Sequence, residues 1–280
     1  MKERGYYRRR WANRFMLGLS WAAAGIAIAI LLLILGYIIK QGIAFVNLDF
    51  FTQAAKPAGE LGGGMRNEII GSIILIAIAS VIALPAGLMS GIYLAEFGSP
   101  RVTSSIRFAA DILAGVPSII VGVFAYAILV RPLHSYSAVS AGIALAIIMI
   151  PVLARTAEEA MRLVPNSTRE AALALGITRW RAVIGVVLPG AITGIVTGIM
   201  LGVARIAGET APLLFTALGN YFGYQGLDKP ITALPLQIYR YAISPYLDEN
   251  QQAWAAALLL VLLVLVISIF VRWISNRRRV

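Results

Sequence analysis

The sequence predicts an all-α membrane protein with six spanning helices, and three observations carry that prediction. The 280 residues are 59% apolar and 13% charged, with a mean hydropathy of +0.82, whereas a soluble domain is ~25% charged. Six stretches approach or reach the ~20 mostly apolar residues that a bilayer-crossing helix needs. The basic residues concentrate in alternate connections between those stretches.

The first span covers about residues 17–39 and is uncharged. Its apolar run exceeds the ~7–15 residues of a signal-peptide core, so it reads as a retained anchor behind a basic cytoplasmic N-terminus, residues 1–16. The second span covers 69–94, with Pro85, Gly87 and Gly91 inside, and the third covers 112–130, with Pro117 in its first turns. The fourth covers 138–154 and carries Pro151 near its end. The fifth starts at Pro189 and runs over 189–209, and the sixth covers 253–273. Residues 17–280 therefore form one transmembrane domain, with residues 155–188 as a cytoplasmic loop. A further apolar stretch, 211–224, is too short and glycine-rich for a span and reads as a re-entrant or interfacial piece. Pro85, Pro117, Pro151 and Pro189 are candidate hinges, although proline is also ordinary in spanning helices.

Orientation follows from lysine and arginine, which accumulate in cytoplasmic segments. With the N-terminus inside, seventeen of the 24 basic residues are cytoplasmic, six are outside, and Arg205 is left within a span. The thirteen acidic residues divide six inside and six outside, leaving Glu209. The net charge of +11 thus belongs to one membrane face. Contact with lipid accounts for it, and no nucleic-acid partner is needed. Six spans place both termini in the cytoplasm, in the cytoplasmic (inner) membrane.

Composition also narrows the chemistry. The chain has no cysteine and one histidine, His134, which excludes disulfides, thiolate nucleophiles and a multi-histidine metal site. His134 follows Arg131-Pro132 in a short external connection and reads as a solvated loop residue. No G-x-x-x-x-G-K-[ST] loop is present, so the chain has no phosphate-cradling nucleotide motif of that kind. No nucleophile stands beside a base, so a membrane enzyme has no support.

The most informative stretch is the loop at 155–188. Ser167 and Glu170 form an S-x-x-E capping box, the next residues favour a helix, and Gly176 ends it. Leu173 and Leu175 are apolar in a segment that should be wet, and Ala171 and Ala172 leave little side chain between this helix and a neighbour. On the residues alone, this is either a docking knob or a helix lying on the membrane surface. Trp180, between Arg179 and Arg181, fits an interfacial anchor. The spacing Glu170-Ala171-Ala172, then Gly176, then Val186 and Leu188-Pro189 resembles the EAA signature of ABC importer permeases, with Val186 where the pattern has Ile. The resemblance implies the type I ABC importer permease fold and a coupling helix seated on a separate ATPase. It assigns Glu170, Ala171, Ala172 and Gly176 to that junction, and Ser167 joins them as the cap of the coupling helix.

In span five, Arg205 and Glu209 are four residues apart, on one helix face. Charges within a span are costly, at least ~2.5–3.5 kcal/mol each at the centre, and usually face a cavity. The pair is either a structural ion pair or an anion site in which guanidinium offers a planar fork to an oxyanion, Glu209 steadies it and Thr210 adds a hydroxyl. The run Ala204-Arg205-Ile206-Ala207-Gly208-Glu209-Thr210-Ala211-Pro212-Leu213-Leu214-Phe215 resembles the signature of phosphate-uptake permeases of the PstA type. Val116-Pro117-Ser118 and Pro235-Leu236-Gln237-Ile238-Tyr239 are similar to that family too; Gly62-Gly63-Gly64 departs from it. The resemblance implies a permease subunit of an ATP-driven phosphate importer, itself not an enzyme. It implies a sister permease (PstC type), an ATPase dimer (PstB type) and a phosphate-binding protein (PstS type). No cofactor is expected on this chain, with ATP and Mg on the partner ATPase. An ABC permease for another oxyanion or small solute would share the loop but not the Arg205 segment, and an ATP-independent anion carrier would explain the pair within the span but not the EAA spacing.

Overall fold

The computed structural model describes residues 2–57, 59–60, 62–220 and 222–277; Arg278 and Arg279, two of the basic residues counted above, lie outside them. In chain order the helices are α1 (Lys2–Gly42), α2 (Leu48–Thr52), α3 (Arg66–Ile92), α4 (Pro100–Gly115), α5 (Ser118–Ala125), α6 (Arg131–Leu133) and α7 (Ala138–Arg162). There follow α8 (Asn166–Ala174), α9 (Arg179–Ala182), α10 (Leu188–Ala207), α11 (Ala211–Thr216), α12 (Leu234–Ala242) and α13 (Leu247–Arg277). Among the described residues, five helical segments are long and apolar enough to cross a bilayer, and a sixth is a bent pair.

The bent pair is α4 with α5, turned by 99° at the Val116–Pro117 break. The sequence reading placed a continuous span here. Pro117 has no amide hydrogen and disfavours helical geometry in the residue before it, and Val116 is extended, at φ -67 and ψ 131. The fifth span begins ten residues earlier than Pro189, because α9 runs through a π-helical turn, Val183–Val187, straight into α10. The wider turn lies just where Pro189 interrupts the ordinary hydrogen-bond ladder. The fourth span likewise continues to Arg162 rather than ending at 154.

The core sits around α7, whose apolar window is 67% buried, against 0% for the first span. Alanines at 138, 141, 144 and 157 on α7 are fully buried, and small side chains let neighbouring backbones approach closely. Two helices use glycine for the same purpose. On α3, an added Cβ at Gly91 would stand 2.6 Å from the Ala157 Cβ. On α10, Gly190, Gly194, Gly198 and Gly202 recur every fourth residue and face α7 and the residues just after it: an added Cβ would meet Val164, Ala160, Thr156 and Met149 in turn.

The long connection after α10 packs onto the bundle. Residues 231–237 are all buried. The Leu234 amide donates to Ser72 Oγ at 2.8 Å, and the Thr232 carbonyl lies over Gly71, where a Cβ would be 1.9 Å away. The amides of Ser137, Ala138 and Val139, at the start of α7, donate to the carbonyls of Thr216, Lys229 and Leu227. The connection thereby satisfies helix-end donors that would otherwise be orphaned. Among the described residues of the apolar stretch at 211–224, 211–216 are helical. At the periphery, α1 packs on α13 through an edge-to-face contact of Tyr37 with Trp254, 5.1 Å between centroids.

Candidate functional site

Two places concentrate charge on this scaffold, one at each end of α10. Arg205 occupies the last turn of α10, about 26 Å along the axis from its start. α10 stops at Ala207, with Gly208 as its C-cap at φ -99 and ψ 0, so Glu209 is not on the same continuous helix as the i,i+4 reading required. Tight turns, Gly208 N–H to the Arg205 carbonyl and Glu209 N–H to the Ile206 carbonyl, curl the chain back. The carboxylate still reaches the guanidinium, Nε to Oε1 at 3.9 Å, with side chains 41% and 17% exposed. At that distance the pair is a loose ion pair rather than a hydrogen bond, and the guanidinium keeps donors available. Thr210 precedes α11, and its hydroxyl donates to the Pro235 carbonyl at 3.5 Å, a weak link to the buried first turn of α12.

At the other end lies α8. The capping box does not form. Pro165 is the N-cap, at φ -60 and ψ 142, and the helix opens at Asn166, one residue ahead of Ser167. The proline ring presets the entry, its carbonyl accepts from the Thr168 amide at 3.1 Å, and Ser167 falls within the first turn, exposed beside exposed Glu170. The other end is as expected. Gly176 N–H donates to the Leu173 carbonyl at 3.0 Å and Ile177 N–H to the Ala172 carbonyl at 3.3 Å, a Schellman closure with Gly176 at φ +76. Leu173 and Leu175 are 49% and 81% exposed. Ala171 is exposed, whereas Ala172 is buried against the rest of the chain.

Residues that the sequence reading left without a role tie this helix down. The Arg169 guanidinium donates to Glu96 Oε1 from both Nε, at 2.9 Å, and Nη2, at 2.7 Å. It also donates to the carbonyls of Met161 and Val164 and to Asn166 Oδ1. Glu96 is buried, in the π-helical turn Tyr93–Phe97 that ends the α3 span. Arg179 donates to the Glu96 carbonyl and lies over the Phe97 ring at 5.5 Å. A second knot forms where α4 meets α7. Glu158, 1% exposed, is bridged by Arg107 at 2.7 Å, Arg162 at 3.0 Å and Arg155 at 3.4 Å, and Arg155 also reaches Asp111 at 3.2 Å. The signal available in sequence was a glutamate beside an apolar run, Glu96 after span two and Glu158 after span four. Trp180 is 54% exposed under the Arg181 guanidinium at 5.2 Å.

The family described as binding-protein-dependent transport system inner membrane component matches residues 83–280. The phosphate transport system permease protein PstA of Haemophilus influenzae is 43% identical over 275 residues, covering 98% of this chain and 97% of the relative. The PstA of Mycobacterium leprae is 34% identical over 279 residues, covering 97% and 92%. Among solved structures, a chain of a bacterial alginate ABC transporter superposes with a TM-score of 0.65 at 16% identity, over 96% of each chain. A chain of the inward-facing MetNI methionine ABC transporter gives 0.59 at 21%, over 78% of this chain and 95% of that one. Both likenesses are of fold.

Proposed function

The chain belongs to the binding-protein-dependent transport system inner membrane component family, and on that footing we propose that it is the permease subunit through which an ATP-driven importer moves inorganic phosphate. It is a multi-pass inner-membrane protein. The observation that carries the substrate is similarity to phosphate permeases along nearly the whole chain, 43% over 275 residues. The partners are those its relatives' system implies: a sister permease of the PstC type, a PstB-type ATPase dimer that holds ATP and Mg, and a PstS-type phosphate-binding protein.

In this reading Arg205 meets phosphate on the pathway. Guanidinium presents paired donors suited to an oxyanion, and the loose 3.9 Å contact with Glu209 balances its charge while leaving those donors free. Thr210 contributes a hydroxyl at the same level. α8, with Glu170, Ala171, Leu173 and Leu175 exposed and its C-terminal end set by Gly176, is the element that seats on the ATPase. ATP binding closes the ATPase dimer, α8 moves with it, and the spans tilt to open the cavity outward. The binding protein delivers phosphate, and hydrolysis with product release reverses the tilt.

The test is uptake of radiolabelled phosphate by the four-component complex in proteoliposomes. Arg205→Gln is expected to abolish uptake at limiting phosphate while the complex still assembles; unchanged uptake removes Arg205 from the pathway. Uptake by the wild-type complex without ATP would instead identify a carrier.

A further inference from the structure

We propose that Arg169 is a positioning residue of the transport cycle, the strut that carries movement of α8 into the α3 span through Glu96. The inference rests on the importer reading above and adds the route by which a third span receives the displacement.

Covalent connections already tie α8 to two spans. It follows α7 after three residues, Leu163–Pro165, and leads through four, Leu175–Thr178, into α9 and α10. The α3 span has no such link, since Glu96 is 73 residues from Arg169. Among the described residues, the hydrogen bonds that leave α8 for the end of the α3 span are those of Arg169 to Glu96. The same guanidinium holds the carbonyls of Met161 and Val164, at the end of α7. One side chain therefore joins three elements at a point beneath the exposed face of α8.

The chemistry of the joint suits transmission. Glu96 is 6% and Arg169 19% exposed at the side chain, so water competes little for either. A guanidinium has five donors in a fixed plane, and two of them share one carboxylate oxygen here. A lysine in this place would keep the charge, but its three donors radiate from one nitrogen, whereas the arginine contacts are spread over Nε, Nη1 and Nη2. Arg179 secures the other side of Glu96 by donating to its backbone carbonyl, so the residue is gripped at both its side chain and its main chain. Glu170, one residue along α8, is exposed. The helix thus carries its docking side chains outward and its strut inward.

The experiment uses the complete complex, reconstituted with phosphate-loaded binding protein. Arg169→Gln, Arg169→Lys, Glu96→Gln and the exchange Glu96→Arg with Arg169→Glu are compared for co-purification of the ATPase, ATP hydrolysis and phosphate uptake. Arg169→Gln and Glu96→Gln are expected to retain the ATPase and at least half of the hydrolysis rate while uptake falls tenfold or more. Arg169→Lys should fall between, and the exchange should regain part of the uptake. Equal loss of hydrolysis and uptake in an assembled Arg169→Gln complex, or uptake unchanged, overturns the proposal. If Arg169→Gln does not assemble, the ratio of uptake to hydrolysis in Arg169→Lys decides, and a wild-type ratio counts against the strut. Failure of the wild-type complex to take up phosphate would refute the importer reading instead and is scored separately.

Discussion

Single residues do the most to distinguish this chain from a generic bundle. Glu158 is a carboxylate 1% exposed that three arginines neutralise, and removing one member of such a knot strands the others. The three arginine side chains are 28%, 35% and 54% exposed, so Glu158→Gln should destabilise the protein by roughly 1–3 kcal/mol, read as a drop in Tm of the purified complex in detergent. Gly176 is a second sensitive point. A side chain is strained at φ +76, so Gly176→Ala should cost about 1 kcal/mol and loosen the end of α8, seen as faster amide exchange at Leu173–Ile177. The sequence made part of this visible. The glycine stop of α8 was readable from one residue, whereas Arg155, Glu158 and Arg162, which share one helix, fell in what read as a loop. Arg107 and Glu96 were not visible, because their partners lie 51 and 73 positions away and spacing speaks only about neighbours on one helix. The capping box misled for a local reason: Pro165 had already set the helix entry before Ser167 could act.

At the scale of elements, close packing on bare backbone organises the bundle. Gly190, Gly194, Gly198 and Gly202 form a column on α10 against α7, a small-xxx-small seam that brings the two axes together. Gly194→Val forces atoms into a place where even a Cβ would stand 2.6 Å from that of Ala160. It should cost roughly 1–3 kcal/mol and lower both the Tm and the yield of the complex. Gly185→Ala, where nothing lies within 4 Å, is the matched control and should change neither. Five spans, and a sixth if the bent pair α4–α5 counts as one, were legible from apolar length, but several ends were not. Charge at 155–162 read as a loop because the reading could not see that α4 supplies compensation. Pro117 was visible as a perturbation, but neither the size of the turn, 99°, nor the packing of α5 on α11 beyond it was, where the Pro212 Cα lies 2.7 Å from a Cβ built on Gly122.

For the whole molecule, the arrangement of basic residues gives a testable orientation. The chain has no cysteine, so single cysteines report without background. Phe222→Cys and Leu163→Cys replace residues 86% and 84% exposed. A membrane-impermeant maleimide should label position 222 in cells whose inner membrane is intact, and position 163 only after that membrane is opened. The reverse pattern would invert the topology. The π-helical end of the α3 span has a mechanical consequence. Arg66–Phe97 is 32 residues of continuous helix, roughly 48 Å from end to end, and Arg169 grips it within two residues of one tip. Force applied there acts on a long lever whose far end, at Gly71 and Ser72, is held by the segment leading into α12. On the strut proposal, displacement of the gripped tip would be shared out along that length, and the fulcrum, with it the gearing of the machine, would lie where α7 packs against the shaft.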